Sequence, residues 1–267
     1  MRKILFFSSI LFAGALQALA TFNPKAPSMI QEGLFFSSSC PISLRAGYEG
    51  SFVFDRRMKM ENVGDRRIDD FKMDSHLGLV VVNLWNRLDL FGGAGQTRVR
   101  SGWRVEFPPS FFSRIDLETH YGLTWSAGGN LICYEWKDLS ASVGGRYEKG
   151  KSSLLWITSD GTPFAVAKEN NVDWNEWQAN LSLSYKIDFL VPYAGVKYSR
   201  AKTKVEAFDG VMTPIADNGG NVLSMESRKN WGMVLGCGIS NSKYFQLNVE
   251  ARLFDEEGGA VYGDFRF

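Results

Sequence analysis

The chain has 267 residues, and its 30 Lys and Arg stand against 29 Asp and Glu. That balance lacks the basic face that phosphate neutralisation needs, so no nucleic-acid partner is expected. Gly (27), Phe (20), Tyr (9) and Trp (8) are abundant. They suit strands and interfacial aromatic girdles, but also a secreted β-sandwich, so composition leaves both open.

Residues 1–20 read as a secretory signal peptide: Arg2 and Lys3, an apolar run over 4–16, and Ala18, Leu19 and Ala20 as the cleavage site. The run is shorter than the roughly 20 residues of a spanning helix. Loss of Arg2 and Lys3 turns the formal charge of +1 into −1. Residues 21–41 are expected as a periplasmic N-terminal segment and 42–267 as the folded unit.

From Ile42 the chain alternates with period two. Ile42, Leu44, Ala46, Tyr48, Phe52 and Phe54 share one face, and Ser43, Arg45, Gly47, Glu49 and Ser51 the other. A polar connection over 56–67 leads to a second strand at about 68–83, whose nearly all-apolar tail, 77–82, leaves its facing ambiguous. The third strand covers 87–97. A long connection over 98–115 holds Pro108 and Pro109, which a central strand excludes. The fourth strand, 117–134, turns His120, Gly122, Thr124 and Ser126 one way and Tyr121, Leu123, Trp125 and Ala127 the other.

The fifth strand, 139–148, carries Arg146 on its polar side. Connection 149–171 contains Asp160 and Gly161, a hairpin signal between two short apolar pieces. The sixth strand sets Trp177, Ala179, Leu181, Leu183, Tyr185 and Ile187 against Gln178, Asn180, Ser182, Ser184 and Lys186. The seventh, 191–201, has Lys197 on its polar side, and connection 202–223 precedes an eighth strand at 225–239. The ninth places Glu250 and Arg252 opposite Leu247, Val249 and Leu253, and the tenth sets Asp264 and Arg266 against Val261, Phe265 and Phe267.

Connections after odd strands are long and those after even strands short. That asymmetry is the mark of a transmembrane antiparallel up-and-down β-barrel of the bacterial outer membrane, with external loops and periplasmic turns. About ten strands are expected, or twelve if the 149–171 hairpin joins the wall. A chain ending on Phe267, with Phe265 two residues before, looks like the terminal strand that presents an assembly signal to the barrel-assembly machinery.

Three stretches, PISLRAGYEGSFVFDR (41–56), NEWQANLSLSYKIDFLVPYAGVKYSRA (175–201) and the ending SRKNWGMVLGCGISNSKYFQLNVEARLFDEEGGAVYGDFRF, resemble the chlamydial major outer membrane protein. So do NPKAPSMIQEGL and NLWNRLDLFGGAG. The resemblance implies a β-barrel porin, up to 16 strands in the family, diffusion of small solutes and ions, and a structural part in a disulfide-linked envelope. The family clusters cysteines before its first strand, and here only Cys40 stands there. The chain and its connections are also shorter than the family's, which puts the pore width in question.

Arg45, Glu49, Arg146, Lys186, Lys197, Glu250, Arg252, Asp264 and Arg266 are the candidate pore-lining residues. In a wide barrel such charges tune ion passage, and in a narrow one they pair and fill it. Inward glycines such as Gly93, Gly144 and Gly236 either remove bulk from a pore or ease strand curvature. Cys40, Cys133 and Cys237 make an odd number in an oxidising compartment, and Cys40 is the candidate for an inter-chain disulfide with another copy or another cysteine-containing envelope protein.

Asp74, His76, Glu118 and His120 could suggest hydrolysis at the outer rim, with Glu118 and His120 expected to point inward together. No serine or paired carboxylate sits at a suitable spacing beside them. No metal-ligand spacing, phosphate loop or nucleophile elbow is present either, so no catalytic residue, metal or cofactor is assigned. The expected function is passive diffusion of small solutes through a barrel in outer-membrane lipid. A non-conducting structural or adhesive barrel acting through its loops is the alternative.

Overall fold

The structure is a computed structural model that describes residues 22–30, 32–33, 40–61, 68–107, 111–166, 170–206, 222–241 and 243–267. Residues 1–20, expected as a signal peptide, and Pro108 and Pro109 lie outside the described residues. A one-turn helix, α1 (Ala26–Met29), precedes the sheet. The strands are β1 (Ile42–Arg56), β2 (Met58–Met60), β3 (Asp70–Leu84), β4 (Leu88–Phe107), β5 (Phe111–Thr119), β6 (Gly122–Trp136) and β7 (Leu139–Ser159). They continue as β8 (Thr162–Pro163), β9 (Asn171–Tyr185), β10 (Leu190–Glu206), β11 (Val222–Ser227), β12 (Trp231–Ser240), β13 (Phe245–Leu253) and β14 (Glu256–Arg266).

Antiparallel pairing runs β12, β13, β14, β1, β3, β4, β6, β7, β9, β10 and back to β12. The ring is closed with ten strands, and its seam is β1 against β14, from Arg45 opposite Arg266 to Arg56 opposite Glu256. Closure leaves no edge, so the backbone is paired all round, as a lipid environment demands. The chain is a transmembrane antiparallel β-barrel.

Outward positions between the two rims are apolar. On β9, Trp177, Leu181, Leu183 and Tyr185 are exposed. The eight steps from Trp177 to Tyr185 cover about 26 Å at ~3.3 Å per residue, or about 20 Å of membrane height once the strand tilt is allowed for. Trp125, Tyr147, Trp177 and Trp231 form the external aromatic girdle, and Trp85, Tyr134, Trp136 and Phe189 the periplasmic one.

Above the external girdle the strands run on, and their outward face becomes charged. Arg98 pairs with Asp74 at 2.8 Å and Glu118 at 3.1 Å, and Lys202 pairs with Glu61 at 2.7 Å. The hydrogen bond from Arg200 at 2.8 Å holds the Glu226 carboxyl below its ordinary value.

The long connections expected at 98–115 and 149–171 are therefore largely strand, and most of the connection at 202–223 lies outside the described residues. β4 and β5 extend the wall outward, β7 reaches Ser159, and Asp160 and Gly161 turn it with φ of 48° and 78° into the two-residue β8. β8 pairs only at the tip of β7 and adds no wall strand.

One phase slip and one ambiguous stretch escape the alternation pattern. Between β5 and β6, His120 and Tyr121 are both exposed, so inward residues are odd-numbered before the break (Ile115, Leu117, Thr119) and even-numbered after it (Thr124, Ser126). A register shift between β5 and β7 marks the same level. The ambiguous tail of β3 resolves with Leu77, Leu79 and Val81 inward and Gly78, Val80 and Val82 outward.

The external end of the lumen is an apolar core. It gathers 17 buried residues, among them Met58, Phe71, Trp103, Ile115, Leu117, Ile157, Trp174 and Met225. Truncating the fully buried Trp103 there (Trp103→Ala) is expected to cost about 3–5 kcal/mol. The check is the urea midpoint of the refolded protein in phospholipid vesicles. An unchanged midpoint would show that this mouth is not packed.

Candidate functional site in the barrel lumen

The lumen has three levels. At the periplasmic level, residues 22–30 lie inside the barrel, with Phe22, Asn23, Ala26, Met29 and Ile30 each no more than 5% exposed. Residues 22–30 of the segment expected in the periplasm thus enter the barrel. The reason is hydrogen bonding, because a backbone with only one helical turn can be buried only if its carbonyls find donors.

The inward side chains supply them. Ser182 donates to the Phe22 carbonyl at 2.8 Å, Asn130 to Asn23 at 3.0 Å, and Asn83 to Pro27 at 3.0 Å. Arg45 donates to Ala26 at 3.1 Å, Ser240 to Met29 at 3.3 Å, and Arg266 to Ile30 at 2.7 Å. Lys25 pairs with Glu135, and the Asn23 amide meets Asn248 at 2.5 Å. Phe22 packs against Leu77, Leu79, Val81, Phe91, Tyr193, Val234 and Tyr262, which explains the apolar inward stretch of β3.

Gly238 makes room for the segment, since a Cβ there would meet the Asn23 amide nitrogen at 2.4 Å and the Met29 methyl at 3.0 Å. Gly93 and Gly236 likewise give their space to the side chains of Leu79 and Tyr193, so these glycines serve packing between neighbours.

The middle level is ionic. Arg45 pairs with Asp89 and, at 3.3 Å, with Asp264, which also accepts from Gln246 at 3.1 Å. Arg146 pairs with Glu49 and with Glu148 at 2.5 Å. Arg252 meets Glu250 at 2.8 Å and donates to Ser51 at 3.0 Å. Arg56 bridges Glu176 at 2.6 Å and Glu256, while Lys197 bridges Asp255 at 3.0 Å and Glu256. All of these charged side chains are at most 9% exposed.

Of the expected pore-lining residues, Arg45, Glu49, Arg146, Lys197, Glu250, Arg252 and Asp264 fall on this inner wall. Arg266 lies inward at the periplasmic mouth. Lys186 sits just past β9 in the periplasmic turn, half-buried, in a recess beside Lys25, Ser28 and Met29. Alternation had missed Asp255 and Glu256, which sit at the tip of the β13–β14 hairpin and turn inward. The polar Asn and Ser residues facing inward near the periplasmic turns were the available sign of the bound segment.

The carboxylates and histidines considered for catalysis do not converge in the lumen. Asp74 and Glu118 face outward on Arg98, and His120 is exposed at the break that reverses the alternation. The Tyr48 hydroxyl shares a hydrogen bond with His76 Nδ1 within an outer aromatic group that includes Phe52 and Tyr121. Cys40 and Cys133 are exposed and Cys237 half-buried, all three as free thiols toward the periplasmic end. Phe265 packs against Phe245 with tilted rings whose centroids are 5.1 Å apart.

Breaking one buried pair exposes how the lumen is balanced. Arg56→Met leaves Glu176 and Glu256 short of a partner and is expected to destabilise by about 3–5 kcal/mol. The loss should appear as a lower temperature for the heat-induced mobility shift on gels, with a smaller loss in Arg56→Met combined with Glu176→Gln.

A family model described as Chlamydia major outer membrane protein matches residues 145–217. The Chlamydia trachomatis major outer membrane porin of serovar E is 24% identical over 389 aligned positions, covering 100% of this chain and 99% of the relative. The serovar B porin is 25% identical over 390 positions, with the same shares covered. The alignments are longer than the 267 residues of the chain, so the relatives carry extra residues where this chain has gaps.

Among solved structures, an outer membrane channel from Pseudomonas putida F1 overlaps with a TM-score of 0.40 at 9% identity, covering 84% of this chain and 95% of the channel. The outer membrane protease OmpT from Escherichia coli gives 0.39 at 10%, covering 84% and 92%. At such overlap neither speaks to activity. The chain is thus similar to the chlamydial major outer membrane porins from end to end at about a quarter identity, and the family model matches it over residues 145–217.

Proposed function

We propose that the chain is an outer-membrane porin through which small solutes and ions diffuse passively, with a structural role in the envelope and no enzymatic activity. The observation that carries this reading is end-to-end similarity to porins in a chain whose barrel turns a belt of charged side chains inward. Arg45, Glu49, Arg146, Lys197, Glu250, Arg252 and Asp264 line the route, and Arg266 and Lys186 flank its periplasmic mouth. The belt carries both signs, with carboxylates in excess over basic groups, which favours cations over anions.

One observation favours a second reading, a non-conducting barrel. At ten strands the lumen is filled at all three levels, close to the width at which side chains alone fill a barrel. Residues 22–30 close the periplasmic level through hydrogen bonds and packing and contain no cysteine to lock them there, so their departure opens that half. Refolded mature protein in a planar bilayer should show small, infrequent conductance steps, and deletion of residues 22–30 should enlarge them several-fold. Silence from both proteins at every salt concentration would favour the filled barrel.

Cys40 is our candidate for crosslinking to a second copy or another envelope protein, and Phe265 and Phe267 for the signal read at assembly. On non-reducing gels of envelope fractions, higher bands should appear and should vanish in Cys40→Ser. A monomer band unaffected by reductant would remove the crosslink.

A further inference from the structure

The ten-strand ring does not extend to the external end. The β13–β14 hairpin stops at Phe254 and Asp255, and above it β2 pairs directly with β11, with Met58 opposite Ser227 and Met60 opposite Met225. The Arg228 amide also donates to the Arg57 carbonyl at 2.8 Å, so the arch is closed by backbone bonds. Between the hairpin tip and this arch the wall has a notch.

The notch holds a cavity of about 390 Å³, lined by Phe54, Asp55, Arg57, Lys229 and residues 252–258. At roughly 30 Å³ per water it has room for on the order of ten waters, or one small polar solute. Its lip is exposed Phe54 and Phe254. Its floor is Arg252, Asp255 and Glu256, each no more than 4% exposed and each part of the central ionic level. Asp255 Oδ1 is a buried carboxylate oxygen with no hydrogen-bond partner among the described residues.

The axial route differs. The external mouth above the ionic level is closed by the 17-residue apolar core, which no polar solute crosses without losing its hydration. The notch bypasses that core and leads straight to the charged belt. Resting on the porin reading, we propose that small polar solutes enter this barrel from the side, over the β13–β14 hairpin, and that the notch accepts zwitterionic solutes. Arg57, Lys229 and Arg252 offer positive partners beside Asp55, Asp255, Glu256 and Glu257, which suits a molecule carrying both signs.

The test uses the mature chain with Cys40, Cys133 and Cys237 replaced by Ser, and a bulky maleimide as the probe. Glu257→Cys places the label at the notch, with Phe254→Cys as a second lip position. Thr162→Cys places it at the tip of the β7–β8 hairpin beside the axial mouth. The heat-induced gel shift reports folding of each variant before use.

Labelling at 257 or 254 should cut single-channel conductance in KCl and glycine-driven liposome swelling at least tenfold, and labelling at 162 should leave both unchanged. Conductance that survives at 257 and 254, or that falls at 162, overturns the lateral route while the porin reading stands. Folded but unlabelled variants that never conduct overturn the porin reading, and the route with it.

Discussion

Everything in this molecule depends on one constraint: inside hydrocarbon, each backbone N–H and C=O must find a partner within the protein. A sheet meets it only by closing, and the β1–β14 pairing closes it here. The wall changes from a closed ring of ten strands at the level of the bilayer to eight strands above it, β3, β4, β5, β7, β9, β10, β11 and β2. Eight strands leave room for little beyond side chains, in keeping with the dry core at that level. The lateral notch is the step between the two levels.

Once the ring is closed, the diameter sets the chemistry of the lumen. Ten strands leave a space too wide for short polar side chains and too narrow to leave long ones fully hydrated. The middle level answers with paired long side chains such as Arg56 between Glu176 and Glu256. The periplasmic level answers with a segment of the chain's own backbone. Buried ion pairs of this kind are weak contributors to stability as whole units and strong ones when a partner is lost, because the remaining charge cannot reach water. They hold strands at a defined register.

Much of the wall was legible in the residues. Alternation at period two assigned β1, β9, β13 and β14, and the outward and inward faces of Leu44 and Arg45 follow from it directly. It stumbled where the local pattern lacked contrast or changed phase. Gly78 to Val82 are nearly all apolar on both faces, and only Phe22 across the lumen explains why Leu77, Leu79 and Val81 point inward. The reversal at His120 and Tyr121 carries no turn residue, so Glu118 read as inward when it pairs with Arg98 outside. The long connections read as loops because their outward face is charged, yet outside the membrane a charged outward face is what a water-exposed strand requires.

The sequence by itself determined the barrel and the charged face turned inward, because strand alternation is a local property. It left the state of the lumen open, since the same inward Arg and Glu serve a channel or a filled core. Only the tertiary structure decided that residues 22–30 lie within the wall, that Arg45 meets Asp89 from another strand, and that the β13–β14 hairpin ends below the rim. Those contacts join residues far apart in the chain, and their geometry depends on the circumference at which the ten strands close.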